Sequence, residues 1–176
     1  ARSFEEDHET SAVILRGRSD NFCFGFDLRD TATQALHDMP LAQRRVMLET
    51  GGRMCKAWED MAPLTLCAIE GWCVGGGVAL AVSCDLRIAA QNATFYVPEV
   101  ARGLNMSWGS VPRITNLVGP ARAKRIIILT EKLAAAQAVD WGLADQTAPA
   151  GNALKAAHDW AEIAANMPPA ALRMIK

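Results

Sequence analysis

The stretch Leu64-Thr-Leu-Cys-Ala-Ile-Glu-Gly-Trp-Cys-Val-Gly75-Gly76-Gly77-Val-Ala-Leu-Ala-Val-Ser-Cys84 decides the fold. Leu64 to Ile69 has the length and apolar content of a buried strand, and Val78 to Cys84, apolar all round, has the character of a buried helix. Three glycines at the junction leave no side chain over the turn, so a ligand can approach the backbone and the free N–H groups of the new helix. Such a turn serves either close packing or the binding of a negatively charged oxygen. It does not match the phosphate loops: no Gly-Lys-Ser/Thr follows, and Leu80 stands where Gly-x-Gly-x-x-Gly needs its third glycine.

Working outward, Phe22-Cys-Phe-Gly-Phe-Asp-Leu28 is a second passage from strand through glycine toward helix. If the two passages face each other, the N–H groups of Phe26 and Gly76 converge on one oxygen. Downstream, Pro98-Glu99-Val100 sets a single carboxylate between apolar neighbours. A carboxyl group in such surroundings is hard to ionise, and its pKa rises toward the range useful for moving protons. The plain alternative for a Pro-Glu pair is a solvated turn.

Residues 1–10 read as the tail of a helix, Ala12–Gly17 as a short strand, 31–39 as a loop, and Leu41 to Met61 as a helix. Met47, Met54, Trp58 and Met61 lie on one face of that helix as a core-facing stripe. Gly51-Gly52 predicts a kink or break, at about 1 kcal/mol for each glycine. Asp85–Ala90 is the next strand, with Asp85 and Arg87 in structural polar contacts, and Thr94–Val97 another. Ser110 caps a helix that Gly119 stops, Pro120 opens a helix with a basic face (Arg122, Lys124, Arg125), Leu133–Trp141 forms a third, and Leu143–Thr147 is extended. Residues 152–166 form an amphipathic helix that Pro168-Pro169 breaks.

At 176 residues and 51% hydrophobic, the chain suits one domain burying roughly 70% of its unfolded surface. The net charge of −1, with no long Lys/Arg run, argues against nucleic-acid or membrane-surface binding and favours a small-molecule partner. Five cysteines without a Cys-x-x-Cys pair predict a reduced, cytoplasmic protein. His8, His37 and His158 lie far apart, with no acidic residue or cysteine at ligand spacing, so no metal site is expected.

Phe22–Leu28, Ala68-Ile-Glu-Gly-Trp-Cys-Val-Gly-Gly-Gly-Val-Ala-Leu80, Cys84-Asp-Leu-Arg-Ile-Ala89, Phe95-Tyr-Val-Pro-Glu99 and Ala138-Val-Asp-Trp-Gly-Leu143 resemble, in order and spacing, the crotonase superfamily of enoyl-CoA hydratases and isomerases. The resemblance implies an α/β fold, a spiral of ββα units, with N- and C-terminal parts of the family pattern missing from this chain. It places the core over residues 1–150 and the start of a C-terminal helical region over 151–176. It also implies an acyl-CoA substrate that brings its own coenzyme A, no metal or redox cofactor, and a homotrimer or dimer of trimers.

By the same resemblance the oxyanion donors are the backbone N–H groups of Phe26 and Gly76, and Glu99 is the acid/base residue. Phe24, Asp27, Leu28, Gly75, Gly77 and Trp108 line the substrate. Family hydratases carry a further glutamate three residues beyond the middle glycine, where this chain has Ala79. Adding water across a double bond needs one group to hold the water and another to protonate carbon, whereas a double-bond shift needs a single proton shuttle. The single Glu99 therefore favours isomerisation. The alternatives are a hydratase that positions water with another group, and a protein that binds acyl-CoA or a partner without turnover. The loop Gly103–Trp108 offers Asn105 and Ser107 but no carboxylate, which argues against dehalogenation by a nucleophilic aspartate. Arg102 reads as a surface arginine and Ser107 as a loop cap.

Overall fold

The computed structural model describes residues 2–4, 7–18, 20–35 and 38–176; His37, named above among dispersed histidines, lies outside them. Two sheets carry the fold. Strands β1 (Ala12–Arg16), β2 (Leu64–Ile69), β4 (Leu86–Ala90) and β7 (Gln146–Ala148) form an all-parallel sheet in the order β1-β2-β4-β7. Strands β3 (Trp72–Val74), β5 (Thr94–Tyr96) and β6 (Leu133–Ala134) form the second, with β3 and β5 parallel and β5 and β6 antiparallel.

The parallel sheet is covered on both faces, and its sequence shows why. Alternate side chains of a strand point to opposite sides. Leu66 and Ala68 of β2 and Ile88 and Ala90 of β4 pack with Ala153 and Ala157 of helix α7 (Ala153–Ala165). Cys67, Ile69 and Ala89 face the other way, into the larger core with Val78, Phe95, Ile114 and Leu143. Strands buried on both faces become continuous apolar runs, which is how Leu64–Ile69 reads. Asp85 and Arg87 make the structural contacts expected of them. The Asp85 carboxylate accepts the Thr65 N–H and hydroxyl, each at 2.6 Å. The Arg87 guanidinium, 2% exposed, donates to the Cys84 and Leu143 carbonyls and to Asp145.

Several local expectations are corrected. Thr31–Gln34 is one turn of helix, α1, inside the expected loop; four residues are too few to show a helical period. Helix α2 (Leu41–Glu59) runs unbroken through Gly51-Gly52. A side chain at Gly51 would overlap the Trp108 indole, so the glycine gives that ring its seat. The methionine stripe does not face the core along its length. Met47 and Met54 are exposed, whereas Met61 is buried, because α2 meets the body of the protein toward its C-terminal end, at Cys55 and Trp58.

The glycine turn begins with β3, and α3 (Gly76–Ala81) starts at the second glycine. Ser110 is the first residue of α4 (Ser110–Val118) and not its cap. Left-handed Gly109 precedes it, and the serine hydroxyl donates to the Ser107 carbonyl. Gly119 ends α4 and Pro120 opens α5 (Pro120–Ile127), as expected. Helix α6 (Ala135–Trp141) begins two residues late because Leu133–Ala134 pairs with β5, and α8 (Pro169–Ile175) follows the proline break. At the start, Arg2–Phe4 is a single 3-10 turn, not a helix tail. No helix among the described residues is long and apolar enough to cross a membrane.

Candidate active site

Three extended segments run side by side in one direction. Cys23 bridges Cys73 in parallel, with the Cys23 N–H donating to the Trp72 carbonyl (3.0 Å) and the Val74 N–H to the Cys23 carbonyl (2.8 Å). Beyond β3, its partner β5 pairs Val74 with Tyr96, and the Gly75 N–H donates to the Tyr96 carbonyl at 2.8 Å. Because the segments are parallel, the residues that follow them emerge together. Those residues are Phe26, the glycine triplet and Glu99. Ligands of α/β proteins gather outside the carboxyl ends of strands, where such a cluster lies.

The two glycine passages face each other. A Cβ built on Gly76 would lie 3.4 Å from the Phe26 amide nitrogen, and one built on Gly25 (φ +92°) would lie 3.2 Å from the Gly76 nitrogen. Gly76 opens α3, so its N–H has no carbonyl one turn back inside the helix. Among the described residues neither amide donates a hydrogen bond. Two adjacent donors without acceptors suit an oxygen that develops negative charge.

The three glycines divide the two readings of the turn between them. Gly77 serves packing: its absent Cβ would sit 2.8 Å from the Cys23 Cβ and carbonyl oxygen. Gly76 keeps its amide open. Gly75 (φ 52°, ψ −112°) adopts a backbone that glycine favours, close to the first central position of a type II′ turn, and the Glu99 carboxyl group lies directly over its Cα.

Glu99 follows Pro98 and precedes the 3-10 turn Val100–Arg102. Its carbonyl accepts the Arg102 and Leu104 N–H groups, both at 2.9 Å, which fixes the backbone beneath the side chain. Among the described residues, its buried Oε2 has no hydrogen-bond partner. Burial pushes the Glu99 pKa up, opposed by a hydrogen bond from its own backbone and by the nearby Arg102 charge. A carboxyl group so placed is no solvated turn residue. It has the unsatisfied, tuned character of a proton-transfer group.

Trp108 supplies the wall. It holds an unusual φ of +58°, its six-membered ring packs on Gly76, and the Phe26 ring meets it edge-on, with centroids 6.1 Å apart at 80°. Its carbonyl accepts Nη1 of Arg113 at 2.9 Å, and the same guanidinium grips Glu59 of α2 through Nε (2.9 Å) and Nη2 (2.7 Å).

Of the other residues expected at the site, Phe24, Asp27 and Leu28 are exposed, and the Asp27 carboxylate accepts the Arg29 N–H at 2.9 Å. Ala79 is 1% exposed in the core. Arg102 is exposed, as expected, and so is Ser107, whose backbone carbonyl accepts the Ser110 N–H and hydroxyl. Sequence reasoning missed Gly51 and Arg113. The signal for Gly51 was two glycines in a helix that did not break.

A carboxyl group beside two open amides, on strands wound into two sheets, defines the crotonase class of α/β fold. The enoyl-CoA hydratase/isomerase family pattern matches residues 2–176, and the chain belongs to that family. It is 30% identical over 173 residues to a short-chain-enoyl-CoA hydratase of Clostridium acetobutylicum, covering 98% of this chain and 64% of the relative. It is 35% identical over 165 residues to an enoyl-CoA isomerase/hydratase of Mycosarcoma maydis, covering 93% and 58%. Among solved structures, Pseudomonas aeruginosa DspI superposes with a TM-score of 0.91 at 32% identity, covering 99% of this chain and 65% of that one. An enoyl-CoA hydratase from Bacillus anthracis superposes with a TM-score of 0.90 at 29% identity, covering 99% and 66%. The chain thus spans less than two thirds of the length of the curated relatives it matches.

Proposed function

We propose that this protein is an acyl-CoA-processing enzyme that shifts a double bond in an enoyl thioester, with Glu99 as the proton shuttle. The observation that carries the reading is the buried Glu99 carboxyl group over Gly75, its Oε2 without a hydrogen-bond partner among the described residues, next in the chain to the open Gly76 amide that faces the Phe26 amide. The thioester carbonyl oxygen accepts both N–H groups. The Glu99 carboxylate takes a proton from the α-carbon of a 3-enoyl thioester, and the released electron pair forms a double bond to the carbonyl carbon while the carbonyl π pair moves onto oxygen, leaving a dienolate whose charge rests there. The carboxylic acid then returns the proton to the γ-carbon, which gives the 2-enoyl thioester. Losing one oxyanion donor typically costs about 2.7–4 kcal/mol of transition-state stabilisation. Coenzyme A enters within the substrate, and the expected assembly is a homotrimer or dimer of trimers in the cytoplasm.

The test follows 3-enoyl-CoA conversion and 2-enoyl-CoA hydration for the wild type and Glu99→Gln. Isomerisation falling by about 10²–10⁴ in the variant supports the reading, and unchanged rates remove Glu99 from the mechanism. The hydratase named among the relatives favours a second reading, hydration with another water-positioning group. Hydration exceeding isomerisation in the wild type would establish it.

A further inference from the structure

We infer that Arg113 is a positioning residue of the site: it fastens Trp108 against Gly76 and through that ring steadies the backbone of the second glycine. The inference rests on the thioester reading above, which assigns the open Gly76 amide to the thioester oxygen. Glycine backbone is the most freely bent of all, and three in a row have no side chains to anchor them. A donor aids the reaction only when it is held in place beforehand, so the anchoring has to come from neighbours. Gly75 is tied by hydrogen bonds to Tyr96 and Ala79, and Gly77 packs on Cys23. Gly76 is held by packing of another kind. A Cβ there would lie 2.6 and 2.8 Å from two carbons of the Trp108 six-membered ring, so the indole edge occupies the place of the missing side chain.

Trp108 does not hold itself there. Its φ is +58° and that of Gly109 is +70°, two left-handed residues in succession, the first of them bulky. Such a backbone persists only where its surroundings enforce it. Arg113 supplies the enforcement. Its Nη1 donates to the Trp108 carbonyl, which lies between the two left-handed residues, at 2.9 Å, while Nε and Nη2 donate to the two oxygens of Glu59 at 2.9 and 2.7 Å. Gly109 makes the approach possible, since a Cβ on it would lie 2.8 Å from that Nη1. The Arg113 side chain is only 14% exposed. Glu59 belongs to α2, the helix whose Gly51 notch receives the Trp108 ring, so one arginine ties the backbone of Trp108 to the element that seats its side chain.

Steady-state turnover of a 3-enoyl-CoA by the wild type, Arg113→Met, Trp108→Ala and the double variant, each normalised to folded protein, tests this. Arg113→Met is expected to lower kcat by about 10–10²-fold, the scale of a small misplacement near the reacting atoms. KM should change little, because the loss falls on the transition state. Added to Trp108→Ala, the same substitution should lower kcat no further, since it acts through the ring, and Glu59→Gln, which keeps one oxygen for the guanidinium, should fall between. Wild-type kcat in folded Arg113→Met, or losses that multiply in the double variant, overturn the positioning role and leave the thioester reading standing. The indole N–H resonances of isotopically labelled protein give a reading independent of turnover, with that of Trp108 identified by its absence from Trp108→Phe. In Arg113→Met the Trp108 resonance should shift while that of Trp160, on α7, stays in place; an unmoved Trp108 resonance overturns the clamp. A wild type that turns over no 3-enoyl-CoA, with the Trp108 resonance shifted in Arg113→Met, overturns the thioester reading and leaves the hold of Arg113 on Trp108 standing.

Discussion

Gly75→Ala probes the backbone and the chemistry at one position, and the structure separates the two effects. At φ 52° and ψ −112° an alanine is strained, and conformations of this kind cost about 1–3 kcal/mol. Relaxation is blocked on both sides, since the Gly75 N–H is held by the Tyr96 carbonyl (2.8 Å) and its own carbonyl accepts the Ala79 N–H (3.0 Å). At about 2–4 °C per kcal/mol for a chain of this size, the melting temperature should drop by about 2–12 °C. The new methyl group also lands on the Glu99 carboxyl group. That group is the free end of a flexible side chain, so moving it adds little to the stability cost. It does displace the carboxyl group proposed as the proton shuttle, and isomerisation should fall by about 10² or more. A double-mutant cycle with Glu99→Ala resolves the two. The stability loss should add, because the strain does not depend on Glu99, whereas the rate losses should not add, because both changes remove one group. A stability change within about 0.5 kcal/mol, or rate losses that multiply, would refute this account.

Other outcomes follow from groups already described. The raised pKa of Glu99 means that the folded state favours its protonated form. Its stabilising contribution is present below the unfolded pKa of the group and is lost as pH rises through the folded value. Denaturation across mildly acidic pH should therefore show this slope in the wild type and not in Glu99→Gln, while wild-type isomerisation should fall as pH drops through the same raised value. Arg87→Met leaves three acceptors of a buried guanidinium without their donor and should cost about 3–5 kcal/mol by urea unfolding. Gly51→Ala should destabilise despite the better helix propensity of alanine, about 1 kcal/mol. Overpacking against the Trp108 ring costs about 1–3 kcal/mol, and a net gain by urea unfolding would show that the indole yields.

The parts legible in the sequence are those where one physical cause dominates. The buried strands β2 and β4 announce themselves as apolar runs, and the two strand-to-glycine passages are visible as such, although it is the parallel bridge between Cys23 and Cys73 that makes Phe26 and Gly76 face each other. Glu99 stands out as a lone carboxylate among apolar neighbours. What stayed hidden depends on contacts distant in sequence. Gly51-Gly52 reads as a helix breaker because propensity is local, whereas the ring that occupies Gly51 arrives from residue 108. The α2 methionines share a helical face, but periodicity does not say whether anything lies opposite. Thr31–Gln34 and Leu133–Ala134 are too short to show a period, and Leu133–Ala134 takes its extended form from pairing with β5.

The pairing of β3 with β5 has a mechanical consequence. Gly76 follows β3 and Glu99 follows its hydrogen-bonded neighbour β5, with Gly75 tied to Tyr96 at the point of departure. Hydrogen-bonded strands move together, so the spacing between the Gly76 amide and the Glu99 carboxyl group should be insulated from the breathing of outlying segments. Motion of α2 is instead passed to Trp108, whose indole lies against both Gly51 and Gly76.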